Sequence, residues 1–362
     1  MMIRRQAILS ILSLIAASTV SAATSSPPFF GKTSFPLGRG GDDLPSTGDE
    51  EFNLGTVIKV IGVGGAGCNM VSHVMAGRPR GIEFILANTD SKALNRTDAF
   101  KAVQLGSSGL SAGSDPAVGA AAAQAAEGDI RAAIDGAHML FVAAGMGGGT
   151  GTGAAPVIAR IARDMGILTV GLVTKPFEWE GERRMSNAEA GLAELEASVD
   201  SLIVVLNEKL LEVLGEGITL DQAFAHANDV MKNAVGGITE IINVRGLVNV
   251  DFEDVRIIMS EPGRAIVGSA IAAGPDRARI AAEQAMSSPL VGDIDLSDAN
   301  AVLVLVSAGK RSLQLSESRL AMNTIRGHGS VDAHFIYGTA HDECLGEQIR
   351  VTVIATGFKA GA

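Results

Sequence analysis

The chain has 362 residues, 47% of them hydrophobic and 4% aromatic, with 44 glycines and 29 Lys+Arg against 40 Asp+Glu, a formal net charge of -11. It is too apolar to be disordered and long enough for about two domains, and its acidic balance, with no basic run beyond a pair, excludes a general nucleic-acid binder. Two cysteines, Cys68 and Cys344, far apart and without CxxC spacing, exclude a disulfide framework and a structural zinc site and fit a reducing compartment.

The first fifty residues stand apart from the rest. Arg4 and Arg5 precede an apolar, small-residue stretch from Ala7 to Ala23. This reads as a signal peptide ending near Val20-Ser21-Ala22, as a transit peptide, or as an interfacial helix with Ile8, Leu9, Leu12 and Ile15 on one face. A misassigned start or a disordered extension fits the same residues. Gly38 to Glu51, glycine-containing and acidic from Asp42 on, reads as a linker.

From Thr56 strands alternate with helices. Val57–Val63 is a buried strand ending in glycines, Ala66–Met75 a helix, and Ile82–Ala87 a second strand. Asp115–Ile134 reads as one Ala-rich helix, followed by a strand at Met139–Ala144, a helix at Thr152–Asp164, a strand at Leu168–Val173, a helix at Glu182–Ala197 and a strand at Leu202–Leu206. Such alternation predicts a parallel sheet with helices on both faces and a ligand site at the strand carboxyl ends. A long helix over Leu220–Ile242 follows. Strands at Val302–Ser307, His334–Tyr337 and Ile349–Ala355 then suggest a second, smaller α/β domain.

Two glycine turns carry the chemistry. Gly62-x-Gly64-x-x-Gly67, after the first strand, would present backbone N–H groups and a helix N-terminus to an anion. Alone it also fits a dinucleotide fold, with Asp90, 23 positions beyond Gly67, as the ribose acid. Gly145-Met-Gly-Gly-Gly-Thr-Gly-Thr-Gly153 lies at another strand end, and two such turns in one sheet would grip a polyphosphate from both sides. No lysine of the Walker type follows either turn. Plain tight connections are the bland alternative.

Gly147-Gly-Gly-Thr-Gly-Thr-Gly153 is similar to the signature of the tubulin/FtsZ GTPases, and the stretch from about Ile58 to Gly357 resembles the bacterial FtsZ branch of that family throughout. Ala87-Asn-Thr-Asp90, Val173-Thr-Lys-Pro-Phe177, Glu180 with Arg184, Ala227-Asn-Asp-Val230 and Asn249-Val-Asp-Phe-Glu-Asp254 extend the likeness. The resemblance implies a Rossmann-like GTP-binding domain over 51–219, a central helix over 220–243, an activation domain over 244–358 and a short tail over 359–362. It further implies GTP hydrolysis and head-to-tail filaments that form the bacterial division ring. The alternative is a paralogue that binds GTP and modulates co-assembly with little hydrolysis.

Carried over by residue, Gly65, Ala66, Gly67, Cys68 and Asn69 match the family's first nucleotide loop, and Gly149, Thr150 and Gly151 its phosphate loop. Glu180 and Arg184 match ribose and phosphate contacts, Asn228 and Asp229 the guanine contacts, and Phe224 would stack on the base. A carboxylate accepts the N1–H and 2-amino hydrogens of guanine, a donor pair that adenine lacks. Neither glycine turn holds an acid or histidine to direct water, and the family supplies that group from the next subunit through Asn249, Asp251 and Asp254. As local chemistry alone, Asp251 and Asp254 read as a helix cap.

Mg²⁺ with GTP or GDP, and a monovalent cation, are expected to supply counter-charge, although the sequence shows no carboxylate cage and no metal-binding histidine pair. The expected partner is a second copy of the chain, with no nucleic acid. The family's usual C-terminal docking peptide is not expected in this chain, and membrane contact is expected to be indirect or through the apolar N-terminal segment. Cytoplasmic residence at mid-cell is expected despite the signal-like leader. The Cys68 thiol is expected to serve packing.

Overall fold

The computed structural model describes residues 55–358, except for 78, 80, 95–100, 210–214, 216, 245 and 288–295. The N-terminal segment, the linker and the short tail read from the sequence lie outside these residues. Ten strands form one sheet in the order β3-β2-β1-β4-β5-β6-β7-β10-β8-β9. The first six are β1 (Ile58–Val63), β2 (Ile82–Asn88), β3 (Lys101–Gln104), β4 (Met139–Gly145), β5 (Leu168–Lys175) and β6 (Ser201–Leu206). All pair in parallel, and their order places β1 and β4 side by side, with the chain winding outward in opposite directions from them.

This parallel half forms because its strands are continuous apolar runs, buried on both faces. β1 and β4 are buried at nearly every position, which only helices on both sides allow. One side carries α1 (Gly64–Ala76) and the long α6 (Leu220–Asn243); Met70, Val71 and Val74 of α1 share a core with Met231, Ala234, Val235 and Ile238 of α6. The other side is covered by α2 (Pro116–Ala125), α3 (Glu127–Ile134), α4 (Thr150–Asp164) and α5 (Glu182–Glu196).

Three local expectations are corrected. The single helix expected over 115–134 is broken at Ala126, whose φ of -100° and ψ of 15° leave the helical region. No breaker residue stands there; the redirection lets Ile130, Ala133 and Ile134 enter the core, so packing overrides local propensity. Helix α4 begins at Thr150 rather than Thr152, so Gly149 caps it and Thr150 and Gly151 form its first turn. Strands β3 and β7 (Arg264–Ala272) and helices α8 (Arg277–Met286) and α9 (Leu315–Arg326) were not expected from the pattern.

The remaining strands make the sheet mixed. β7 meets β6 in parallel through a single pair, Leu202 with Arg264, and then pairs antiparallel with β10 (Ile349–Phe358). β10 is antiparallel to β8 (Ala301–Ala308), and β8 runs parallel to β9 (His334–His341). Helices α8 and α9 cover this part through Ala281, Ala282, Ala285, Ala321 and Ile325. Helix α6 is tied to it by Arg350 of β10, whose guanidinium donates to the Glu240 carboxylate at 2.8 Å and to Asp342 at 2.9 Å.

Candidate functional site: two glycine turns at the switch point

The carboxyl ends of β1 and β4 each open directly into a glycine turn and a helix. Both turns therefore stand at the point where the strand order reverses, which is where open α/β sheets leave a crevice. Gly64 has φ +72°, and a Cβ there would come within 2.9 Å of the Gly151 nitrogen. The two turns therefore touch, and only glycine permits it.

The remaining glycines divide by cause. A Cβ on Gly67 would collide with the Ala143 carbonyl oxygen, and one on Gly151 would lie 2.6 Å from the Gly145 oxygen. At Gly149 it would lie 2.5 Å from the Gly113 oxygen. These are requirements of packing within the chain, so the tight-connection reading holds for them whatever else they do. Gly65 and Gly148 have ordinary φ and nothing within 4 Å of a Cβ. Their missing side chains leave open space in front of the N-termini of α1 and α4, where backbone N–H groups lack intrahelical partners.

Gly65, Ala66 and Asn69 are exposed on this face, whereas Cys68 is buried. The Cys68 thiol lies 3.6 Å from the Gly62 carbonyl oxygen, and burial pushes its pKa up to about 11. Only its backbone is available to a ligand. The Thr150 and Thr89 hydroxyls are 2.8 Å apart, and Thr152 accepts from the Gly147 N–H at 2.9 Å. Thr89 also accepts from the Ala112 N–H, and Gly149 donates to the Gly113 oxygen, so the loop around 106–113 walls the turn of α4. The sequence reading gave this loop no role, although its glycines at 106, 109 and 113, all with positive φ, mark it.

Glu180 and Arg184 meet as an ion pair at 3.0 Å, with the Arg184 side chain half exposed. Glu180 Oε1 also accepts from the Phe177 N–H at 2.9 Å, which fixes the turn between β5 and α5. Phe224 is 41% exposed and packs edge-on against the buried Phe177 at 6.0 Å, while Trp179 stacks on Phe177 at 5.4 Å. One turn beyond Phe224 on α6 lie Asn228 and Asp229. Asp229 Oδ1 accepts from His73 Nε2 of α1 at 2.8 Å. Asn207, at the carboxyl end of β6, was missed: it is 4% exposed, and its Oδ1 has no hydrogen-bond partner among the described residues. A buried orphan amide beside a crevice is a mark of ligand contact that no sequence pattern carries.

Asn249, Asp251 and Asp254 are elsewhere. Asp251 caps α7 (Phe252–Met259), accepting from the Asp254 N–H at 2.9 Å, while Asp254 Oδ2 accepts from the Asp251 N–H at 3.1 Å. This reciprocal capping box is the local reading of the pair realised. Asn249 Oδ1 accepts from the Gly246 N–H, and both Asn249 and Asp251 are exposed. The Phe252 ring sits 6.1 Å from His138, the residue before β4. The seven residues of β4 then separate this corner from the glycine turns by about 20 Å, so one chain does not bring the two groups together.

A β3-β2-β1-β4-β5-β6 parallel sheet, glycine turns after β1 and β4, and a long helix bearing Phe224 and Asp229 across the crevice define a nucleotide-binding protein of the tubulin type. The Tubulin/FtsZ family GTPase domain model matches residues 57–215, and the FtsZ family C-terminal domain model matches residues 263–359. The chain belongs to the FtsZ family of tubulin-like GTPases, a family of cell division.

Among its relatives, the cell division protein FtsZ of Wigglesworthia glossinidia brevipalpis is 51% identical over 311 residues, 85% of this chain and 81% of the relative. That of Coxiella burnetii is 48% identical over 308 residues, 84% and 80% of the two chains. Of solved structures, an empty FtsZ dimer from M. jannaschii superposes with a TM-score of 0.77 at 39% identity, covering 83% of this chain and 88% of that one. CetZ1 from Haloferax volcanii, at 22% identity and a TM-score of 0.73 over 83% and 94% of the chains, shares the fold.

Proposed function

We propose that this chain binds and hydrolyses GTP and assembles head to tail into division-ring filaments, each active site being completed by the neighbouring subunit. The observation that supports the reading is the separation of the parts: the glycine turns stand at the carboxyl end of β4, and the loop bearing Asp251 and Asp254 stands by its amino end. One end of a subunit then completes the opposite end of the next. Such a contact is heterologous and generates an open filament rather than a closed dimer.

In this reading the free N–H groups of Gly65, Ala66 and Gly67 at the start of α1 and of Thr150 and Gly151 at the start of α4 hold the phosphates, Cys68, Asn69 and Gly149 complete the same two turns, Arg184 adds charge and Glu180 faces the ribose. Phe224 stacks on the base, Asn228 and Asp229 read its N1 and 2-amino edge, and Asn207 supplies a further amide contact. On hydrolysis a water attacks the γ-phosphorus in line with the bond to the β-phosphate oxygen, giving GDP and phosphate. The neighbour's Asp251 or Asp254 orients that water and accepts its proton, while Asn249 shapes the same loop. The glycine turns bring no carboxylate to hold Mg²⁺, so that ion and any monovalent cation would enter with the triphosphate and supply counter-charge to it.

Self-association, action at the division site and residence in the cytoplasm belong to the same proposal. Among the described residues no helix is long and apolar enough to cross a membrane. The test is GTP turnover by the full chain as a function of its concentration, with pelleting in the same tubes. Specific activity near zero when dilute, rising above a critical concentration together with GTP-dependent pelleting, is the expected result. GTP binding with flat, low activity at every concentration would instead assign the chain to a co-assembling subunit that hydrolyses little.

A further inference from the structure

His73 and Asp229 are 156 positions apart in sequence and meet at 2.8 Å across the interface of α1 and α6. Both side chains stay partly exposed, at 31% and 37%, so the pair is open to solvent rather than sealed in the core. His73 stands one helical turn after Asn69 on the same face of α1, the helix whose first turn is the open glycine segment. A single rigid helix thus carries both the first phosphate-type turn and the partner of Asp229. The other charged or titratable groups on this stretch of α6 are His226, one turn before, and Lys232, whose side chain lies along Gly77 at the end of α1.

A purine edge with two parallel N–H donors is read by a carboxylate only when the carboxylate plane faces it. A partly exposed aspartate otherwise samples several rotamers. The Nε2–H of His73 fixes Oδ1 in one position and, since each carboxylate oxygen has two acceptor sites, leaves both oxygens able to accept from the ligand. We infer that His73 is a positioning residue that holds Asp229 in the orientation discriminating guanine nucleotides from purine nucleotides lacking the 2-amino group or the N1–H. The inference rests on the nucleotide reading proposed above.

The test measures affinities of the full chain for GTP, ITP and ATP by competition against a fluorescent GDP analogue, with His73→Ala, His73→Leu and His73→Gln beside wild type. ITP lacks the 2-amino group, and ATP lacks the N1–H. The alanine and leucine variants should lose roughly five- to tenfold of the GTP over ITP preference, as expected for one misaligned hydrogen bond. His73→Gln, which keeps a side-chain N–H donor, should recover most of it. Leucine fills the space without donating, so a loss of fold alone would not separate it from glutamine.

An unchanged GTP to ITP ratio in both the alanine and leucine variants, or tighter GTP binding by them, overturns the inference while leaving the nucleotide reading intact. A wild-type chain that binds ATP as well as GTP overturns both.

Discussion

Cys68 and Cys344 show how far a residue's chemistry is set by its surroundings. Cys68 sits in the first glycine turn, yet its thiol points into the core shared with Met70 and Val71, and burial raises its pKa to about 11. At pH 8 its thiolate fraction is then on the order of one in a thousand. Cys344 is exposed. Treatment of the native protein with a thiolate-directed alkylating agent at pH 8 should label Cys344 and spare Cys68, with Cys68 becoming reactive on unfolding or as the pH rises toward 11. Mass spectrometry of the peptides checks this, and rapid native labelling of Cys68 would contradict the inward orientation of its thiol. Asp229 illustrates the same point from the other side: read along the helix it is a solvated residue, and in the fold His73 of another element meets its carboxylate.

At the scale of elements, the two glycine turns combine two kinds of glycine. Gly67 lets α1 lie against β4, because a Cβ there would meet the Ala143 carbonyl, a backbone atom that does not yield. Gly65, at the exposed second position of the same helix, meets nothing. Gly67→Ala should therefore cost at least about 2 kcal/mol of stability through overpacking. Gly65→Ala should be neutral or stabilising by up to about 1 kcal/mol, since alanine is the better helix former. Thermal or denaturant unfolding separates the two. If the open face of Gly65 receives phosphate, Gly65→Ala should also weaken GTP binding while leaving the fold intact. Equal stabilities for the two variants would mean that the contact of α1 with β4 is not as close as described.

For the whole molecule the decisive geometry is the length of the sheet. Asn249, Asp251 and Asp254 stand at the amino-end corner of β4 and the glycine turns at its carboxyl end, so catalysis by these residues requires two chains. The capping box complicates the obvious mutation, because removing the Asp254 side chain also removes an acceptor for the Asp251 N–H. Asp254→Asn keeps an amide oxygen for the cap while removing the carboxylate, and so separates folding from proton acceptance. The variant alone should bind GTP with near wild-type affinity and hydrolyse it at least about a hundredfold more slowly, the lower end expected for a general base. Mixed with wild type, it should lower turnover of the wild-type chains by capping their sites. Normal turnover by the pure variant would remove Asp254 from the mechanism.

The sequence by itself determined the features that depend on neighbours along the chain. Continuous apolar runs specified buried parallel strands, glycine clusters specified turns at the strand ends, and Asp251 with Asp254 specified a helix cap, because each is fixed by residues within a few positions. The family motif could be read for the same reason. Only the tertiary structure decided what lies opposite what. It separated Gly67, Gly149 and Gly151, held by backbone contacts, from Gly65 and Gly148, which face open space. It broke the Ala-rich helix at Ala126, joined β7, β10 and β8 in antiparallel pairs, left the buried Asn207 oxygen without a partner among the described residues and set His73 against Asp229. Apart from the contact of Gly151 with Gly145, these outcomes turn on residues tens to more than a hundred positions apart, where packing and steric exclusion select among arrangements that local propensity leaves equivalent.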